Sequence, residues 1–100
     1  MDNNSIKDII HKIIPNAKII LFGSRAKGTA RQNSDYDILI IVPDSIVPNE
    51  KKKITSTLRR NLALSGIDAD IIVQFNKTFI ELKNFPGNVS RWADKEGILL

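Results

Sequence analysis

A small α/β fold built around a mixed sheet is predicted by three short apolar runs, at residues 17–22, 35–42 and 69–75, separated by segments with helical periodicity. The expected order is helix, strand, loop, strand, helix, strand, helix. A single domain spanning residues 1–100 is expected, because 100 residues suffice for one modest core and not for two.

Each element has a local reason. Ser5 followed three residues later by Asp8 resembles a capping box, and Ile6, Ile9, Ile10, Ile13 and Ile14 recur at helical spacing, so an amphipathic first helix should run to Pro15. "AKIILF" at 17–22 is bounded by Pro-Asn and Gly and reads as a buried strand. Residues 23–34 are polar and carry two glycines, which makes them loop with a helical turn or two at most. Strand two follows over 35–42. Pro43 and Pro48 bracket a loop, after which Asn49 or Glu50 should start a helix that stacks Ile54, Leu58 and Leu62 and ends at Gly66. "ADIIVQF" at 69–75 is a third strand, and residues 76–100 are expected to form one or two helices broken at "FPGN".

Composition narrows the function classes. Hydrophobic residues at 42% and charged residues at 26% are an ordinary globular balance and argue against a largely disordered chain. No apolar run approaches the ~20 residues that cross a bilayer, and the polar start "MDNNSIKD" is unlike a signal peptide, so a cytoplasmic protein without membrane contact is expected. The lack of cysteine removes disulfides and thiolate metal ligands. A net charge of +4 is a mild bias toward anionic partners such as nucleotides. The cations Lys51, Lys52, Lys53, Arg59 and Arg60 read as a solvated helix face, and direct nucleic-acid binding is not expected.

The chemistry concentrates in "LFGSRAKGTARQNSDYDILIIV". Asp35 and Asp37 stand at the mouth of a core strand, on one side of it, with Cα atoms about 7 Å apart. Two carboxylates this close repel unless a proton or a cation neutralises them. Their all-oxygen chemistry suits Mg²⁺, which is typically held by one or two carboxylates while phosphate oxygens and water complete its shell. Gly23 and Ser24 end the first strand, where glycine permits close backbone approach and free N–H groups with a hydroxyl can cradle phosphate. Arg25, Lys27 and Arg31 add positive charge. Two rival motifs fail on spacing: Thr29 stands where a P-loop following Gly23 and Gly28 demands lysine, and Ile40 stands where an EF-hand loop demands glycine.

The string "FGSRAKGTARQNSDYDILI" resembles the signature of the DNA polymerase beta-like nucleotidyltransferases, especially their minimal nucleotidyltransferase (MNT) domain: Gly-Ser, Arg-Ala, a basic residue, Gly, a spacer, then Ser-Asp-x-Asp and an apolar run. The resemblance implies that family's α/β (α+β) fold, a small mixed sheet flanked by helices. It implies that Gly23 and Ser24 hold a nucleoside triphosphate, that Asp35 and Asp37 bind Mg²⁺, and that a third acid comes from a neighbouring strand. Two ions clamping an in-line displacement would fit such a set. Asp70, inside "ADIIV", is chosen as the third acid and general base over Asp68, which belongs to the turn after Gly66. Arg25 joins Gly23 and Ser24 as a nucleotide ligand, with bracing of the loop against the strand acids as its alternative.

The resemblance further implies transfer of a nucleoside monophosphate, AMP from ATP, onto an acceptor hydroxyl. Minimal domains of this kind resemble the antitoxin of HEPN/MNT toxin–antitoxin pairs, so the expected partner and acceptor is a helical HEPN toxin. The alternative is a module with little or no activity that neutralises such a partner by docking. Other candidates have plainer expectations: Ser34 as a turn residue, Tyr36 packing on the face opposite the aspartates, His11 at the solvent edge without a local partner, and Trp92 as the core anchor of the last helix.

Overall fold

The computed structural model describes residues 3–28 and 35–100. The elements are α1 (Asn3–Ile13), β1 (Lys18–Phe22), α2 (Ser24–Lys27), β2 (Tyr36–Val42), α3 (Pro48–Leu64), β3 (Ala69–Phe75), α4 (Asn76–Leu82), α5 (Val89–Glu96) and β4 (Ile98–Leu99). Thr29, Arg31 and Ser34, to which the sequence assigns loop and turn roles, lie outside the described residues.

The sheet has the order β3-β2-β1-β4. β1 pairs antiparallel with both β2 and β4, whereas β2 and β3 are parallel. A parallel pair needs a crossover, and α3 supplies it. Side-chain alternation then sorts the strands onto two faces. Ile19, Leu21, Ile38, Ile40, Val42, Ile71 and Val73 pack with Ile6 and Ile10 of α1 and Leu58 and Leu62 of α3. On the other face Ile20, Phe22, Leu39 and Ile41 pack with Phe79 of α4 and Ala93 of α5. β2 is thus buried on both sides, which is why its sequence is an unbroken apolar run.

The structure departs from the sequence expectations at the element ends. α1 already includes Asn3, so Ser5 lies inside the helix and does not cap it. Pro48 opens α3 instead of closing the preceding loop; proline suits a first helical turn because its missing N–H would have no acceptor there. At the other end Gly66 turns the chain at φ +77°, and the N–H groups of Gly66 and Ile67 return to the carbonyls of Ala63 and Leu62 at 3.0 Å each. His11 does have a partner: its Nε2 lies 3.1 Å from the Ala17 carbonyl oxygen, joining α1 to the start of β1. β4 is a two-residue strand that local pattern does not reveal, since it exists only by pairing Ile98 and Leu99 with Leu21 and Ile20.

Trp92 is the clearest correction. It is 44% exposed, and the core position on α5 belongs to the smaller Ala93. α5 is held by a capping bond from Arg91 N–H to Asn88 Oδ1 (3.1 Å) and by Ser90, fully buried, whose Oγ donates to Gln74 Oε1 on β3 at 2.7 Å.

Leu58 is completely buried beneath the sheet whereas Leu64 on the same helix is 77% exposed. Leu58→Ala should therefore cost about 2–5 kcal/mol in urea unfolding. Leu64→Ala should stay within about 0.5 kcal/mol of the wild type.

Candidate active site

The two sheet pairings at the end of β2 assemble the candidate site. Antiparallel pairing sets Phe22, the last residue of β1, opposite Asp37. Parallel pairing sets Asp70 opposite Asp37 from the other side. Residues in register across a sheet share a face, so Asp37 and Asp70 lie together on the α4/α5 face, one step beyond the apolar layer of Leu39 and Ile72. Asp35 sits just before β2, exposed. Asp68 precedes β3; its backbone carbonyl accepts the Tyr36 N–H at 2.9 Å and so extends the ladder.

Asp37 feels both of the other carboxylates. Burial pushes the Asp37 carboxyl above its ordinary range, and the negative charges of Asp70 and then Asp35 push it in the same direction. Among the described residues, no three His, Cys, Asp or Glu side chains are gathered closely enough to cage a metal ion. The structure thus does not gather Asp35, Asp37 and Asp70 into one cage; a hard cation held by one or two carboxylates and completed by phosphate and water needs none, and the oxygen chemistry of Asp37, with Asp70 in register beside it, fits that case. A cation beside Asp37 would remove the repulsion that disfavours its ionised form.

Gly23 closes the site from above. Its backbone adopts φ +74° and ψ −155°, a region that only glycine occupies readily. A Cβ at this position would overlap Asp37 Oδ2. Glycine therefore does two things: it makes the turn from β1 into α2, and it leaves room for the Asp37 carboxylate against the turn. α2, only four residues long, follows at once, with Lys27 N–H reaching Gly23 O at 3.2 Å and Gly28 capping it in the left-handed conformation. Ser24, the first residue of α2, follows this turn directly and is half-buried.

The residues after Ser24 are arranged in ways the sequence does not disclose. The Arg25 guanidinium lies over the Tyr36 ring, 4.5 Å from its centroid. Tyr36 itself packs on the α1/α3 face, as strand alternation predicts. Lys27 Nζ pairs with Glu96 Oε2 at 2.9 Å, and the same oxygen accepts the Trp92 Nε1–H at 2.6 Å. The Lys27 and Trp92 hydrogen bonds hold the Glu96 carboxyl below its usual range. The Trp92 ring meets Phe22 edge-on, with centroids 5.2 Å apart. Glu96 escaped sequence analysis because no local spacing ties it to Lys27; only the folding of α5 beside β1 does.

Two outcomes follow. Gly23→Ala should lose about 1–3 kcal/mol of stability in denaturant titration, the cost of forcing a side chain into this backbone conformation. The raised Asp37 pKa means the folded state binds more protons than the unfolded one between the ordinary carboxyl value of 3.8 and the raised one. In metal-free buffer, stability from this group is therefore greatest below 3.8 and falls as pH rises through the raised value. Asp37→Asn should flatten that part of the pH profile and raise Tm at neutral pH.

Comparison with known proteins bears on the fold and the family. No protein of curated function matches the chain in sequence. In fold, it is similar to a toxin–antitoxin structure with AMP-PNP, at TM-score 0.65 and 21% identity over 99% of this chain and 72% of the other. It is similar to a mutant of the toxin–antitoxin MntA-HpeT, at TM-score 0.63 and 18% identity over the same shares of the two chains, 99% and 72%. A Sulfolobus solfataricus protein assigned to the nucleotidyltransferases superposes at TM-score 0.59 and 21% identity, over 95% of this chain and 72% of that one. Among the described residues no helix is long and apolar enough to cross a membrane. The sequence pattern of the nucleotidyltransferase domain family matches residues 4–58, more than half the chain and inclusive of Gly23, Ser24, Asp35 and Asp37; the chain belongs to that family.

Proposed function

We propose that this protein is a Mg²⁺-dependent nucleotidyltransferase that moves AMP from ATP onto an acceptor hydroxyl of a partner toxin, and thereby serves as an antitoxin. The observation that carries the reading is the corner where Asp37 lies opposite Asp70, feels Asp35, and is roofed by a glycine whose turn leads into Ser24 at the start of α2. Carboxylates beside anion donors are what a metal–triphosphate complex requires. Likeness to two toxin–antitoxin structures across 99% of the chain supports the antitoxin role. The HEPN type of the partner and the choice of ATP rest on the sequence resemblance.

In this mechanism Gly23 N–H and Ser24 would hold the outer phosphates, and Arg25, whose guanidinium lies over the Tyr36 ring, would join them from the same turn. Asp35 and Asp37 would hold Mg²⁺, with Asp70 available for a second ion. When bound there, Mg²⁺ would neutralise charge on the phosphates. Asp70 accepts the proton of the acceptor hydroxyl. The acceptor oxygen then bonds to the α-phosphorus as the bond from that phosphorus to the bridging oxygen breaks, and pyrophosphate leaves.

The test is incubation with ATP labelled at the α-phosphate, Mg²⁺ and the co-expressed partner. Label should appear in the partner's protein band, vanish with a chelator, and fall by about 10²-fold or more in Asp70→Asn. Toxin neutralisation that survives Asp37→Asn, without label transfer, would assign the antitoxin effect to docking. In the absence of partner, Mg²⁺ should raise Tm of the wild type and leave Asp37→Asn unmoved.

A further inference from the structure

The placement of α2 is a physical problem. A four-residue helix cannot hold its own shape in water, and none of its residues is buried. Its position must come from outside. Three consecutive side chains provide it in three directions: Arg25 lies on Tyr36 of β2, Ala26 packs against the core of the α1/α3 face, and Lys27 reaches the opposite layer to meet Glu96 of α5.

Glu96 is a firm point of attachment. It ends α5, and the next residue, Gly97, fits so tightly that a Cβ there would overlap both the Ala93 carbonyl oxygen and Ile20 Cγ2 of β1. Gly97 N–H also bonds Ala93 O at 2.9 Å. The start of α5 is tied to β3 through the buried Ser90–Gln74 bond. The Glu96 carboxylate is oriented by the Trp92 indole N–H, and Trp92 is seated on Phe22, the residue before Gly23. The chain from Phe22 to Lys27 is therefore gripped at both ends by one turn of α5.

We infer that Glu96 is a positioning residue for the phosphate-holding turn: through Lys27, and with Trp92 on Phe22, it sets where Gly23, Ser24 and α2 stand relative to Asp37. The inference rests on the nucleotidyl-transfer reading for its functional half only. Both Lys27 and Glu96 side chains are 48% exposed, and an exposed pair contributes little to global stability. Its effect is local, on the turn and the short helix that Lys27 ends.

Amide hydrogen exchange and nucleotide kinetics test this on the full chain. In Glu96→Gln, which keeps an acceptor for the indole N–H and removes the charge, exchange at Lys27 and Gly28 should quicken several-fold. Amides of β2 and β3 and the urea midpoint should not move. The KM for ATP should rise about two- to fivefold, the range an exposed ion pair supports, with kcat unchanged. The reciprocal exchange Lys27→Glu with Glu96→Lys should restore both readouts. Unchanged exchange at Lys27 and Gly28 in Glu96→Gln overturns the brace. Faster exchange with an unmoved KM overturns its part in nucleotide binding. If the wild type bound no nucleotide, the proposed reaction would fall, and the exchange measurement would still decide the brace.

Discussion

Pairing β2 between an antiparallel and a parallel neighbour places Asp37 where it cannot escape other charges. Antiparallel β1 brings the Gly23 turn over its carboxylate, and parallel β3 brings Asp70 beside it. A strand whose remaining residues are buried on both faces cannot slide by one position to relieve this, because a one-residue slip would exchange its two apolar faces and turn Asp37 into the α1/α3 core. The hydrophobic core thus locks an electrostatically unfavourable cluster in place. Such a conflict between packing and charge is expected where a ligand supplies the missing counter-charge.

The two helical layers have different duties. α1 and α3 cover one face with the larger set of buried side chains and carry the crossover that makes β2 and β3 parallel. α4 and α5 cover only part of the other face, where the core set is smaller and stops at Phe22 and Leu39. Beyond that edge lie Asp37 and Asp70, so the candidate site stands at the end of this apolar layer. α5 lies against this edge and carries Glu96 and Trp92 to the turn above Asp37. An aromatic side chain there gains by contact with Phe22 while keeping its N–H on a carboxylate, which explains an exposed Trp92 above a small Ala93.

Much of this was legible in local pattern. The span of β3 matches its apolar run at both ends, and the first strand differs by one residue, since Ala17 is buried but unpaired in the ladder. Helix starts were read less well: Ser5 and Pro48 each have a local meaning that the longer helices override. β4 could not be read at all, because two residues carry no periodicity and become a strand only beside β1. At the site, alternation alone puts Asp37 and Tyr36 on opposite faces.

The sequence by itself determined the types of the main elements, the sidedness of the strands and the chemistry of the Gly23-Ser24 turn with Asp35 and Asp37, because these depend on residues close along the chain and on fixed backbone periods. Tertiary structure decided that Asp70 stands opposite Asp37, that Arg25 lies on Tyr36, and that Lys27 is held by Glu96. Those relations join segments far apart in the chain, and their geometry is set by strand register and helix packing, which no local spacing encodes.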